Sequence, residues 1–181
     1  MHLRHARPED AAPIAAIYDH AVEHTTAIWN EVTVDAQDRA AWIADRQGAG
    51  LPVRVAVDAP EGADGEVVGY ATYGPWRPHD GYRHTVEHSV YVRQDRQGEG
   101  LGARLMEDLM ELARAAGVHV MIAGVEAGNI GSVRLHERLG FAETGRLPQV
   151  GCKFGRWLDL VFLQKVLDSR PRPDDGPVAS A

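Results

Sequence analysis

Val86-Glu87-His88-Ser89-Val90-Tyr91-Val92-Arg93-Gln94-Asp95-Arg96-Gln97-Gly98-Glu99-Gly100-Leu101-Gly102-Ala103-Arg104 reads as a strand that breaks into a glycine-rich turn and opens into a helix. In the strand, Thr85, Glu87, Ser89 and Tyr91 share one face and Val86, His88, Val90 and Val92 the other, because successive side chains alternate across a sheet. After the turn Leu101, Leu105, Leu109 and Leu112 recur at helical spacing. The first N–H groups of a helix lack partners within it, and the helix dipole adds about half a positive charge there. Glycines let an anion approach those groups closely, so the turn is a candidate phosphate site. Two phosphate binders are excluded by spacing. Ala103-Arg104 stand where a nucleotide-triphosphate loop needs Lys-Ser/Thr, and Gly98, Gly100 and Gly102 alternate where a dinucleotide fingerprint needs G-x-G-x-x-G.

The rest of the chain sets bounds on partners. With 181 residues, 44% of them hydrophobic, one globular domain with a substantial core is expected. No apolar run approaches the ~20 residues of a membrane span, and Met1 to Asp10 has no apolar run of the signal-peptide kind. The net charge of -7 argues against a nucleic-acid partner, which would need a basic face. The single cysteine, Cys152, allows no internal disulfide, and a cytoplasmic location is expected. Nine histidines without paired ligand spacing argue against a metal site.

Read in order, Leu3 to Ala6 is a short strand, and Asp10 is placed to cap a helix carrying Ile14, Ile17, Tyr18, Ala21 and Val22. Glu23 to Val34 is a loop, and Asp35 caps a second helix that stops at Gly48. Val53, Val55 and Val57 alternate as a strand and turn through Asp58 to Asp64 into Glu66 to Tyr73, a hairpin. Gly74 to Tyr82 is a loop before the central strand. Gly117 stops the long helix, Val118 to Val125 reads as a buried strand parallel to its neighbour, and Asn129 caps a helix over Ile130 to Leu139. Phe141 to Val150 and Trp157 to Gln164 form a final antiparallel pair around a long loop. Residues 168–181, polar and proline-rich, are expected to be a flexible tail behind a domain of residues 1–167. The order β-α-α-β-β-β-α-β-α-β-β implies an α/β (α+β) class with a mixed central sheet of about seven strands flanked by about four helices.

Gln97-Gly98-Glu99-Gly100-Leu101-Gly102 also fits Gln/Arg-x-x-Gly-x-Gly/Ala, and Asn129 is followed by Leu135-His136-Glu137-Arg138-Leu139-Gly140-Phe141. Both segments resemble the GNAT superfamily of N-acetyltransferases, with His136 where tyrosine is commoner. Thr25-Thr26-Ala27-Ile28-Trp29-Asn30, the stretch from Gly69 to Pro78, Thr85 to Val92 and Val150 to Leu160 are similar to the phosphinothricin acetyltransferase group. Within it the chain most resembles the branch that acetylates methionine sulfoximine and methionine sulfone. The resemblance spans roughly residues 1 to 167.

That resemblance implies a single GNAT-like domain that moves the acetyl group of acetyl-CoA to the α-amine of a small amino-acid substrate. It implies a diphosphate on the amides of Gln97, Gly98, Glu99, Gly100, Leu101 and Gly102, and a pantetheine arm along Val90, Tyr91 and Val92, where the central strand splays from its parallel neighbour. Asn129 is given a pantetheine contact beside its capping role, and Ser132 joins the cofactor-binding set. Glu87 becomes the base for the incoming ammonium, although a strand glutamate on its own reads as a surface salt-bridge partner. His136 becomes the donor to the leaving thiolate. Arg77 is the first choice for the acceptor's carboxylate, with Pro78, His79, Glu87, His88, Ser89 and Lys153 as further acceptor-binding positions. His88 is otherwise read as structural. A homodimer is implied, with Lys153, Arg156 and Trp157 in a loop that closes the pocket. Trp29, Tyr73 and Trp76 are read as pocket wall or core. Two rival readings stay open, a peptide N-acetyltransferase and a non-catalytic acetyl-CoA sensor.

Overall fold

The computed structural model describes residues 1–175. The elements run β1 (His2–His5), α1 (Ala11–His24), α2 (Ala36–Gly48), β2 (Val53–Asp58), β3 (Glu66–Pro75), β4 (Thr85–Val92), α3 (Leu101–Ala115), β5 (Val120–Glu126), α4 (Ile130–Arg138), β6 (Ala142–Lys153) and β7 (Arg156–Val166). One seven-stranded sheet has the order β1-β2-β3-β4-β5-β7-β6, with β4 and β5 its only parallel pair. The expected element order and mixed sheet are both found.

Two apolar layers hold helices to the sheet. On one face Ile14, Ile17 and Ile43 of α1 and α2 pack on Val53, Val55, Val57 and Tyr70. On the other, Leu101, Leu105, Met106 and Leu109 of α3 pack on Val86, Ala71, Met121 and Val161. Each fully buried leucine of that stripe contributes about 1.5–3 kcal/mol. The alternation of β4 thus sends Val86, His88, Val90 and Val92 toward α3 and α4, and leaves Glu87 on the side of α1 and α2.

The parallel pairing is short. Thr85, Val86 and Glu87 pair with Val120, Met121 and Ile122, and there the ladder ends. Beyond it β4 stays bonded to β3 and β5 to β7. A wedge therefore opens between Ser89–Val92 and Ala123–Glu126, as the resemblance implied.

Three local expectations are corrected. Asp10 does not cap α1 with its side chain. Its carboxylate instead accepts from the Arg4 guanidinium (2.6 and 2.9 Å) and the Arg7 amide (2.7 Å), tying β1 to the start of the helix. The long loop expected after Val150 is a tight hairpin: β6 continues to Lys153, and Phe154 (φ 50°) and Gly155 (φ 70°) make the turn. Two consecutive left-handed residues match the strand twist of a two-residue hairpin. Along the presumed tail, Asp168 bonds His119 (2.8 Å) and Arg170 donates to the Gly117 carbonyl (2.8 Å), so that stretch is fastened to the domain. Residues 176–181 of that tail lie outside the described residues.

The β6–β7 hairpin also holds the loop between α1 and α2. The Trp29 ring lies where a side chain at Gly151 would be, 2.1 Å from the position of its Cβ. Trp29 Nε1 donates to the Thr26 carbonyl (3.0 Å), and Thr26 Oγ1 donates to Glu126 (2.9 Å). A bulky ring wedged against backbone cannot yield as a flexible chain end can. Gly151→Ala is expected to cost about 1–3 kcal/mol and to lower the melting temperature by several degrees in a thermal unfolding scan.

Candidate active site

α3 differs from its neighbours at its N-terminus. Asp35 caps α2 by accepting from the Asp38 amide, and Asn129 caps α4 by accepting from the Ser132 amide. At α3 the capping position is Gly100, left-handed at φ 78°, with no side-chain cap. Among the described residues no acceptor takes the amide hydrogens of Gly98, Glu99, Gly100, Leu101, Gly102 or Ala103, whereas the flanking Gln97 and Arg104 amides are bonded. Gly98 (φ 84°) and Gly100 hold the turn open, and a Cβ at either would meet nothing within 4 Å. Arg96 is tied to Glu99 (2.9 Å) and to Asp58 (2.6 Å), which fixes the turn from outside. A run of free amides on a helix dipole is a fitted cradle for a diphosphate.

Beside it lies a polar cavity of about 550 Å³, lined from β4 by Glu87, Ser89, Val90 and Tyr91 and from the far side by Gly124, Asn129 and Ser132. Ala27, Ile28 and Trp29 roof it. Glu87 is half buried, with Oε1 only 2.9 Å from where a Cβ of Gly124 would stand. Burial pushes its carboxyl pKa above the ordinary glutamate value, and the charge of Arg77 pulls partly against that shift. A carboxylate so placed binds a proton more readily than one in water. Tyr91 packs against Tyr70 (5.3 Å between ring centres, tilted by 39°), and burial pushes its hydroxyl up to about 12.

His136 also reaches this cavity, but its ring is engaged on both sides. Nδ1 lies 2.7 Å from the Ser132 carbonyl and Nε2 lies 3.1 Å from His88 Nε2. A carbonyl only accepts, so His136 Nδ1 carries the proton and Nε2 accepts from His88. His88 Nδ1 is then a bare nitrogen, buried without a partner. Burial holds both rings neutral: His136 below its ordinary value, and His88, further lowered by His136, at about 3. Bonded in this way, the His136 ring holds no free N–H toward the cavity for the expected donation to a leaving thiolate. His88 lines the same cavity, its ring stacked on that of His136, on the other face of β4 from Glu87.

The remaining expected acceptor residues divide. Ser89 lines the cavity with Glu87. Arg77, Pro78 and His79 line a neighbouring cleft, where the Arg77 guanidinium lies 4.3 Å from the centre of the Trp76 ring. Lys153 is 2% exposed and does not line the cavity. Its ammonium donates to the Ile28 carbonyl, so it braces the roof from behind. Of the three aromatic residues, Trp29 is wall, Tyr73 is core and Trp76 packs edge-on against Phe162. Several lining residues escaped the sequence reading, Gly74, Gly124 and Glu126 among them, and the one that carries a positive charge is Arg46 of α2. Its only sequence signal was a basic residue in the last turn of an amphipathic helix.

A mixed sheet split beside an uncapped helix, with a half-buried carboxylate at the split, offers an anion cradle at one end of the cleft and a base at the other. The chain belongs to the acetyltransferase (GNAT) family, whose profile matches residues 14–141. It is 55% identical over 174 residues to the L-amino acid N-acyltransferase MnaT of Escherichia coli, covering 96% of this chain and 98% of that protein. It is 56% identical over 166 residues to the L-methionine sulfoximine/L-methionine sulfone acetyltransferase of Pseudomonas aeruginosa, covering 92% and 94%. The phosphinothricin N-acetyltransferase of Alcaligenes faecalis is 39% identical, covering 92% and 83%. An acetyltransferase of Salmonella typhimurium, solved with its cofactor acetyl-CoA, superposes with a TM-score of 0.89 at 52% identity, covering 96% and 97%.

Gly100→Ala forces a Cβ into a left-handed position. It is expected to cost about 1–2 kcal/mol of stability and to raise the KM for acetyl-CoA while leaving turnover at saturation nearly unchanged, as steady-state kinetics would record.

Proposed function

We propose that this chain transfers the acetyl group of acetyl-CoA to the α-amine of a small amino-acid analogue: methionine sulfoximine, methionine sulfone or phosphinothricin. The observation that carries the reading is Glu87, half buried in a roofed polar cavity at the apex of the β4–β5 wedge, where the ladder stops. The names of the similar proteins support the acceptor class.

The residues fit this donor. The free amides from Gly98 to Ala103 take the diphosphate, and the unpaired edge of Val90, Tyr91 and Val92 offers main-chain bonds to the pantetheine amides. Asn129 keeps its carbonyl oxygen on the helix cap, which leaves its NH₂ for the ligand, and Ser132 lines the cavity beside it. Acetyl-CoA supplies the acetyl group as a thioester. Glu87, directly or through one water, removes a proton from the acceptor's ammonium. The freed lone pair forms the C–N bond as the C–S bond breaks, and the nitrogen's second proton passes to solvent or to the departing thiolate. The thiolate needs only a hydrogen bond, because thiols ionise near pH 8.5, and Asn129 and Ser132 are the donors at hand. A roofed cavity suits a compact zwitterion better than a peptide strand, which disfavours the peptide reading.

We also infer a cytoplasmic homodimer that detoxifies amino-acid analogues. The edge strand β6 and its hairpin expose Leu147, Val150, Phe154 and Trp157, the last 70% exposed, and apolar patches of that kind are interface material. Sedimentation equilibrium is expected to give a dimer, and Val150→Asp a monomer.

Glu87→Gln is expected to lower turnover by about 10²- to 10³-fold with acetyl-CoA affinity retained, the opposite of what a non-catalytic sensor would give. Since burial favours protonated Glu87, the wild-type rate should climb with pH through a value above the ordinary ~4.3 of glutamate, and the variant should lose that limb. The same sign makes ionised Glu87 a cost to folding at neutral pH, so Glu87→Gln should melt no earlier than wild type.

A further inference from the structure

Arg46 is the one Lys or Arg among the residues lining the Glu87 cavity. Its Nε donates to Thr72 Oγ1 (2.9 Å), and its guanidinium lies 5.2 Å from the centre of the Trp42 ring. Among the described residues no carboxylate forms an ion pair with it. Burial and the nearby Arg39 push its pKa down, the mark of a cation short of an anion. Half-buried guanidinium groups are ordinarily paired.

The guanidinium's position is set by an absence. Gly74 on β3 is the cross-strand partner of Glu87, so a side chain there would share the face of Glu87. Gly74 has none, and Arg46 Nη2 fills the space, 3.0 Å from the position of its Cβ. On the other flank the Glu87 carboxyl leans over Gly124 of β5. Cation and carboxyl thus stand on one face over two glycines that are two strand spacings (~10 Å) apart across the sheet, with Gly124 two residues further along β5 than Ile122, the partner of Glu87. An α-amino acid that donates from its ammonium at one end and accepts at its carboxylate at the other spans roughly 8–9 Å, two hydrogen bonds of ~2.8 Å plus its own N-to-O length of about 3 Å. A ligand of that length can therefore reach from one charged end to the other.

We propose that Arg46 binds the acceptor's α-carboxylate through its two terminal nitrogens, and so selects free α-amino acids over simple amines and over peptide N-termini, whose α-carbonyl is an amide. The proposal rests on the amino-acid acceptor reading. Nε is spent on Thr72 and Trp42 fixes the plane, which leaves the forked Nη edge for a two-point bond. Arg77, stacked in the next cleft, acts on the site through its charge.

The test compares kcat/KM for methionine sulfone, its α-carboxamide and 3-(methylsulfonyl)propylamine in wild type, Arg46→Gln, Arg46→Lys and Arg77→Gln. Wild type should prefer the free acid. Arg46→Gln should lose about 10- to 100-fold against the acid, mostly in KM, and only a few-fold against the carboxamide and the amine, so the preference collapses. Arg46→Lys should restore part of it. Gly74→Ala, which pushes a methyl at Nη2 and keeps the charge, should narrow the preference too, and it carries the test if Arg46→Gln does not fold. Equal losses on all three acceptors, an unchanged preference in Gly74→Ala with a folded Arg46→Gln that also keeps it, or collapse in Arg77→Gln alone would overturn the proposal. If wild type binds acetyl-CoA yet acetylates none of the three, the acceptor reading itself fails, and that result is distinct from wild type working while Arg46→Gln keeps its preference.

Discussion

The parting of β4 from β5 after three residue pairs governs the rest of the molecule. A parallel ladder that stops in mid-sheet leaves main-chain donors and acceptors facing a gap, and buried groups of that kind require partners. Here the gap is flanked by the free amides at the start of α3. Both features are open hydrogen-bonding capacity that the chain keeps for something outside itself. A thioester carrier with amides along its arm and a diphosphate at its end meets both demands with one ligand.

The acceptor side is built by removing side chains. Gly74 and Gly124 flank Glu87 on the same face, and each leaves room for a charged end, the guanidinium of Arg46 and the carboxyl of Glu87 itself. Polar chemistry is thereby placed on a sheet face that elsewhere packs against α1 and α2. The opposite face of β4 carries the paired His88 and His136, both neutral, and so lends rigidity rather than charge.

Much of this could be read from the residues. The switch from alternating to helical periodicity at Gly98–Gly102 placed β4, the turn and α3 correctly, because strand pleat, left-handed glycine and helix each leave a local mark. The cavity's acceptor side was less legible, since it depends on contacts between residues far apart in the chain. Arg46 meets Gly74 only after β3 and β4 have paired. His88 meets His136 across 48 positions. Lys153 was misplaced because Phe154-Gly155 lacks the usual Asn-Gly signature of a tight hairpin, so its strand was taken for loop. The side-chain setting of Arg77 is equally illegible from sequence, since its guanidinium lies over the neighbouring Trp76 ring.

The seating of Trp29 on Gly151 joins the lid of the acceptor chamber to the outermost strand of the sheet. Lys153 reinforces the same joint through the Ile28 carbonyl. Substitutions along β6, none of them near the reacting atoms, would therefore tilt the tryptophan and resize the chamber. Homologous chains can in this way drift from one acceptor to another by editing their margin while the chemical apparatus stays fixed.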